Sequence, residues 1–375
     1  MSAISAKAAS SAVALARKGV PRSDAIRNAW EFVIRGLLGC TALISIAITV
    51  GIIGILLRET IAFIQLPEIE LTDFLFGTTW SPLLGAEKHF GIWPLICGTF
   101  LVSVVAAMTA IPLGLITAIY LSEYATATKR AFLKPVIEIL AGVPTVVYGF
   151  FALLVITPAL QGACNFIFGA PIFSGYNAGA AGIAVGIMIL PIVASLSEDA
   201  MQSVPRSLRE GAYALGSTKF DVSVKVVTPA ALSGILASCF LAITRAIGET
   251  MVVALAAGGL AHMTLNPADQ VQTMTAYMVQ IFLGDAPAFG VENLSSYAVA
   301  MVLFILTLVL SIIGNILLNR YRECMNERYF IANKANFKEP RVPCAVSSEH
   351  KRHHSHFGAV DCVHHVAGLA FLIQQ

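Results

Sequence analysis

Long stretches without Asp, Glu, Lys or Arg dominate this chain. Gly36–Leu57, His89–Ser122, Ile139–Ser197 and Asn293–Asn319 carry none, and Val226–Ala268 is interrupted only by Arg245 and Glu249. A helix of about 20 apolar residues crosses a bilayer core. The run from 139 to 197 is long enough for two crossings, and Gly, Pro, Asn and Ser between 161 and 177 supply its turn. The pattern predicts six transmembrane helices, at roughly 36–57, 95–121, 138–160, 178–197, 231–258 and 296–319.

Composition narrows the class. The chain is 57% hydrophobic and 12% charged, with a mean hydropathy of +0.78. An average soluble protein is about a quarter charged. So little polar surface excludes a soluble globular domain, a disordered chain and a nucleic-acid binder. An all-α integral membrane protein in contact with lipid is predicted. The small net charge of +2 matters less than where the charges sit.

Basic residues accumulate on the cytoplasmic side of membrane proteins. With the six predicted spans, 21 of the 24 Lys and Arg fall on one side, two (Arg58 and Lys88) on the other, and Arg245 lies in a span. Both termini are therefore expected in the cytoplasm, and the acidic loop 58–90 outside. The first 28 residues, rich in Ala and Ser with scattered basic residues, carry no expected cleavage site. The predicted layout is a cytoplasmic lead helix 1–35, a membrane domain 36–322 containing a cytoplasmic loop 198–230, and a His- and Cys-containing tail 323–375, expected to be poorly ordered.

The seven cysteines are scattered and form no disulfide framework. No pair has zinc-type C-x2-4-C spacing, so no metal site is expected. Gly182 and Gly186, four apart in the fourth span, suit close helix packing.

Two motifs carry chemistry. In the loop between spans four and five, Pro205 suits the first position of a helix. Leu208, Ala212 and Leu215 are expected on one face of it. Gly216 suits a left-handed stop, Thr218-x-x-Asp221 resembles a capping box, and Pro229 marks the next break. The loop's four basic and four acidic residues cancel. The residues alone leave two readings: an interfacial helix pair, or a compact knob that docks on a soluble partner. The second motif is Arg245-Ala-Ile-Gly248-Glu249 within span five. A charge at bilayer depth is costly and faces a pathway or a partner. Arg offers a planar fork of donors matched to phosphate or carboxylate, and Gly248 leaves room for close approach. The pair is either a neutralised structural ion pair or an anion contact at a gate.

Glu210-Gly211-Ala212, Gly216 and Val226-Val-Thr-Pro229 resemble the EAA loop of ABC importer permeases, which reads Glu-Ala-Ala, three residues, Gly, nine residues, Ile-x-Leu-Pro. Gly211, Val226 and Thr228 depart from that pattern. The stretches Leu140–Phe151, Ile187–Asp199 and Arg245–Met251 together resemble PstC-type permeases of the bacterial high-affinity phosphate importer, over about Leu37 to Arg322. The resemblance implies a type I ABC importer (MetI-like) permease fold in the bacterial inner membrane. It implies a PstA-type permease partner, a PstB-type ATPase dimer that holds ATP-Mg, a periplasmic phosphate-binding protein, and inorganic phosphate as substrate. It also implies ATPase coupling through Arg209, Glu210, Gly211, Ala212, Gly216 and Pro229, and a substrate pathway past Arg245, Gly248 and Glu249.

The chain itself is expected to be a transport subunit without cofactor or catalytic residues. Gly211-x4-Gly216-Ser217-Thr218 lacks the Lys of a phosphate-binding loop. Molybdate or sulfate in place of phosphate stays open. So does a stand-alone secondary anion transporter, although no internal repeat is visible.

Overall fold

Inside lipid a single segment satisfies all its backbone N–H and C=O groups only as a helix, and the apolar runs fold accordingly. A computed structural model describes residues 22–67, 69–82, 88–170, 172–284 and 290–336, with side chains from 30 to 320. In chain order its elements are α1 (Arg22–Ile64), α2 (Leu71–Phe76), a two-residue strand pair β1 (Trp80–Ser81) and β2 (His89–Phe90), α3 (Trp93–Ile119), α4 (Ala127–Ala141), α5 (Thr145–Phe151), α6 (Thr157–Phe168) and α7 (Ala178–Gln202). Then come α8 (Arg206–Ala214), α9 (Lys219–Asp221), α10 (Thr228–Ala230), α11 (Leu232–Ile247), α12 (Met251–Ala256), α13 (Met274–Leu283) and α14 (Val291–Asn336). Wider π-helical turns join α3 to the α4 loop at Tyr120–Tyr124, α5 to α6 at Ala152–Ile156, and α9 to α10 at Val222–Val227.

Among the described residues, five stretches are long and apolar enough to span a membrane: Trp30–Ile64, Trp93–Tyr124, Thr145–Phe168, Ala178–Gln202 and Val291–Arg320. The sixth is broken. Lys219–Ala230 and Leu232–Ile247 meet at 71°. By contacts the described residues fall into two units that divide between Ile55 and Leu56.

The centre of the second unit is the contact between α3 and α7, made by small residues. Ala106, Ala110, Ala181, Ala184 and Val185 are fully buried in one cluster. A methyl group at Gly182 would press on Val105, one at Gly186 on Thr109, and one at Gly114 on Val193. Backbones this close gain dispersion contact where lipid offers no hydrophobic drive, and the paired glycines serve the packing expected of them. A second cluster gathers Phe63, Phe74, Trp80, Phe90 and Tyr277 between the strand pair and the neighbouring helices. The strands pair antiparallel, Trp80 opposite Phe90, a small departure from all-α.

Several boundaries differ from those predicted. Span three begins at Thr145, because Pro144 pushes Val143 away from helix, and residues 138–141 end the separate helix α4. Tyr148 Oη closes this break by donating to Leu140 O at 2.7 Å. The predicted turn 161–177 shrinks, since α6 runs to Phe168 and stops at Gly169 with φ +72°. α7 continues past Ser197 to Gln202, carrying Glu198 and Asp199 inside a helix. Span five stops at Ile247, short of 258. The segment 259–292, predicted as an outer loop, holds the largely buried helix α13. Its ten residues fall below the length of a span but suit a buried core helix. α14 runs on into the predicted tail as far as Asn336. Residues 337–375, and most of the lead segment 1–35, lie outside the described residues.

Candidate functional site

The charged pair of span five sits at its end, beyond the 71° bend, where α11 gives way to α12. α11 ends at Gly248, and Thr250 opens α12. Arg245 Nη1 donates to Glu249 Oε2 at 2.9 Å. The Arg245 side chain is 32% exposed and that of Glu249 only 2%. Glu249 is held further at both ends. Val252 N–H points to its Oε1 at 3.4 Å, and Thr275 Oγ1 donates to its carbonyl at 2.7 Å. Gly248 is exposed, and a Cβ there would meet nothing closer than 3.8 Å. Within this chain its missing side chain therefore clears surface beside Arg245 and relieves no clash. The pair is not inside a continuous helix, as the sequence suggested. It bridges a helix end, joining a buried, anchored carboxylate to a partly exposed guanidinium. Nearby, a cavity of about 640 Å³ opens among Phe150, Met251, Leu255, Gln270 and Gln280.

The loop between α7 and α11 folds as predicted in outline: helix α8, a glycine turn, helix α9. Gly216 has φ +81°, a conformation costly to residues with a Cβ. Thr218 Oγ1 accepts from Asp221 N–H at 3.2 Å and donates to the Asp221 carboxylate at 2.6 Å, so the short acid closes back on the hydroxyl. Pro229 follows the π-helical turn and precedes the 71° bend at Ala231.

The residues expected to couple to an ATPase separate into two sets. Ala212 packs inward against a cluster of Met201, Val204, Val222 and Val227. Glu210 and Gly211 are exposed. Leu208, Tyr213, Leu215 and Phe220 also project into solvent, Leu215 at 88% exposure. The expectation that Leu208, Ala212 and Leu215 share one face fails, because α8 ends at Ala214 and Leu215 has left its register. Arg209 is not on the exposed face. Its side chain is 17% exposed and bonds inward to Met201 O at 2.8 Å, Val204 O at 2.7 Å and Glu123 Oε1 at 3.0 Å.

Charge readings of the sequence missed a further cluster. Glu198, fully buried, is paired with Arg130 at 2.6 Å and Lys134 at 2.8 Å, and Lys134 also meets Asp199 at 2.6 Å. These bonds fasten α4 to α7. Burial lowers the Lys134 pKa, and its hydrogen bonds to Asp199 and Glu198 more than reverse this, leaving it above the ordinary lysine value. The polar side of α4 faces protein, while Phe132, Val136 and Ile139 are exposed. The available signal was the Ser-Glu-Asp at 197–199 that closes the fourth predicted span, read as a span end.

Among the described residues no group of three His, Cys, Asp or Glu could hold a metal ion.

Comparisons place the chain among transport proteins. Residues 110–323 match the family described as binding-protein-dependent transport system inner membrane component. The chain is 33% identical to the probable ABC transporter permease protein YqgH of Bacillus subtilis, over 76% of this chain and 89% of that one. It is 31% identical to the probable phosphate transport system permease protein PstC of Methanocaldococcus jannaschii, over 73% of this chain and 90% of that one. Among solved structures, a bacterial ABC transporter involved in the import of the acidic polysaccharide alginate aligns over 78% of this chain and 99% of its own, with a TM-score of 0.53 at 13% identity. That likeness is one of fold.

Proposed function

This chain belongs to the binding-protein-dependent transport system inner membrane component family of multi-pass ABC permeases, and we propose that it is the PstC-type subunit through which an ATP-driven importer moves inorganic phosphate. Its similarity to relatives named as phosphate permeases, over about two thirds of the chain and more, carries this reading. A PstA-type permease completes the passage, and a PstB-type ATPase dimer holds ATP-Mg. A periplasmic phosphate-binding protein delivers the substrate. The outer loops are acidic, five acids to two bases in 58–90 and three to none in 259–292. They repel free phosphate, which favours delivery by a docked protein.

ATP binding draws the ATPases together and moves the loop carrying Glu210 and Gly216, whose exposed Leu215 and Phe220 suit an apolar socket. The spans then rock between two packings biased by that partner. Phosphate passes Arg245, whose guanidinium lowers the electrostatic barrier. Glu249 keeps it oriented and keeps binding weak, since a pathway must release what it admits.

The test is ATP-dependent uptake of labelled phosphate by proteoliposomes holding the assembled complex and its binding protein. Uptake is expected to need ATP inside and binding protein outside, and to resist excess sulfate and molybdate. Uptake by this chain alone would instead support a secondary transporter, and competition by sulfate or molybdate a different oxyanion.

A further inference from the structure

The cytoplasmic-side end of span two is clasped from both arms of the docking loop. From α8, Arg209 reaches Glu123 at 3.0 Å. From α9, beyond the Gly216 turn, the Lys219 ammonium sits 5.0 Å from the centre of the Tyr124 ring, a cation–π contact. Both targets lie in the π-helical turn Tyr120–Tyr124. Such turns recur at functional sites. The Glu123 side chain is 6% exposed, and Ser122 Oγ also donates to it, at 3.1 Å. Arg209 uses its remaining bonds on Met201 O and Val204 O at the end of α7. One guanidinium thus joins the docking loop, span two and span four.

The chain connects the loop covalently only to spans four and five. Span two is reached through space, and its α3 packs closely against α7 through the small residues Ala106, Gly182 and Gly186. A rigid docking knob moved by a motor would shift spans four and five directly, and would reach the end of span two that lies beyond this packing only through a contact of its own.

We propose that Glu123 is the positioning residue of a latch, with Arg209 as its partner and Tyr124–Lys219 as a second clasp, that passes the motion of the docking loop to span two. This deepens the importer reading and rests on it. The geometry favours a mechanical role over substrate contact. The carboxylate is buried, already bonded, and would repel an anion. It also favours a link specific in direction, since a guanidinium fork fixes angle as well as distance. A cavity of about 390 Å³ beside the pair, lined by Ser122, Arg130, Gln202 and Tyr213 among others, leaves space for it to open.

The experiment uses the complete complex with its binding protein in proteoliposomes, and reads phosphate imported per ATP hydrolysed. Glu123→Gln is expected to retain the copurifying ATPase and to hydrolyse ATP within about twofold of the parent, yet to import at least tenfold less phosphate per ATP. Glu123→Asp keeps the charge and should recover at least half the ratio. Tyr124→Leu, which loosens only the second clasp, should lower it about threefold. A purely structural pair would lower the yield of complex and leave the ratio intact. A Glu123→Gln complex with the parental ratio overturns the latch. If that variant does not assemble, Arg209→Lys, which keeps the charge but loses the fork, takes its place, and a parental ratio there overturns the latch. A parental complex that imports no phosphate would overturn the importer reading instead, and the two failures cannot be confused.

Discussion

Arg245 and Arg209 are each paired with a glutamate whose side chain is almost wholly buried, yet their surroundings are opposite. Arg209 spends its donors on three groups in two other elements and is 17% exposed. Arg245 has one bond, to a residue four positions along its own chain, and is 32% exposed beside a bare glycine. A guanidinium carries five N–H donors. One whose donors are used by the protein is a fastener, and one that keeps them beside a cleared surface is free to meet an anion. The contrast also separates two costs. Loosening a fastener disturbs the relation between helices, whereas on the proposed reading removing Arg245 takes away a contact to the substrate.

The largest effect should come from Arg245→Gln. A hydrogen bond to a charged group is worth about 1.5–3 kcal/mol, so uptake should fall about a hundredfold. An amide at position 245 still offers a donor to Glu249, whose carboxylate also keeps the Val252 N–H, and the complex should assemble at its usual yield. Normal uptake by this variant would erase the distinction between the two arginines.

Gly216→Val comes next. At φ +81° a β-branched residue costs about 1–2 kcal/mol, and α8 and α9 should no longer meet at their present angle. Copurification of the ATPase, or its stimulation by the loaded binding protein, should drop about tenfold. If both persist, docking does not depend on this turn.

Glu198→Gln should act on stability more than on transport. It leaves Arg130 and Lys134 without their buried partner, a change that costs about 3 kcal/mol in such pairs. The unfolding midpoint of the solubilised protein should fall by about 5–10 °C. Asp199 still holds Lys134, so uptake per surviving complex should change less than in Arg245→Gln.

How far the sequence could be read depends on what each device needs. Spans need runs of apolar residues, and five long helices plus the bent pair stand close to where charge-free runs put them. The loop between α7 and α11 needs local punctuation, Pro205, Gly216 and Thr218, and was legible for that reason. The latch and the α4 fastening need pairs 86 and 64–68 positions apart, Glu123 with Arg209 and the Arg130–Lys134 pair with Glu198 and Asp199. No local period encodes these, and a charge at the end of an apolar run looks alike whether it faces water or a partner. α13 escaped for another reason. A ten-residue apolar helix is half a membrane crossing, and only its buried neighbours distinguish it from loop.

The smallest effect sharpens the comparison most gently. Gly211 stands where EAA loops carry Ala, in the middle of α8 between Arg209 and Ala212. Its backbone is helical, and a Cβ built there meets nothing within 4 Å. Alanine should therefore fit without moving a neighbour and stiffen the helix by about 1 kcal/mol. If α8 works as a rigid arm between the ATPase and Arg209, a stiffer arm wastes less motion. Gly211→Ala should raise phosphate imported per ATP slightly, within about twofold, without altering affinity for the binding protein. A fall in that ratio would mean the glycine keeps α8 compliant on purpose, and the knob would then have to yield as it docks.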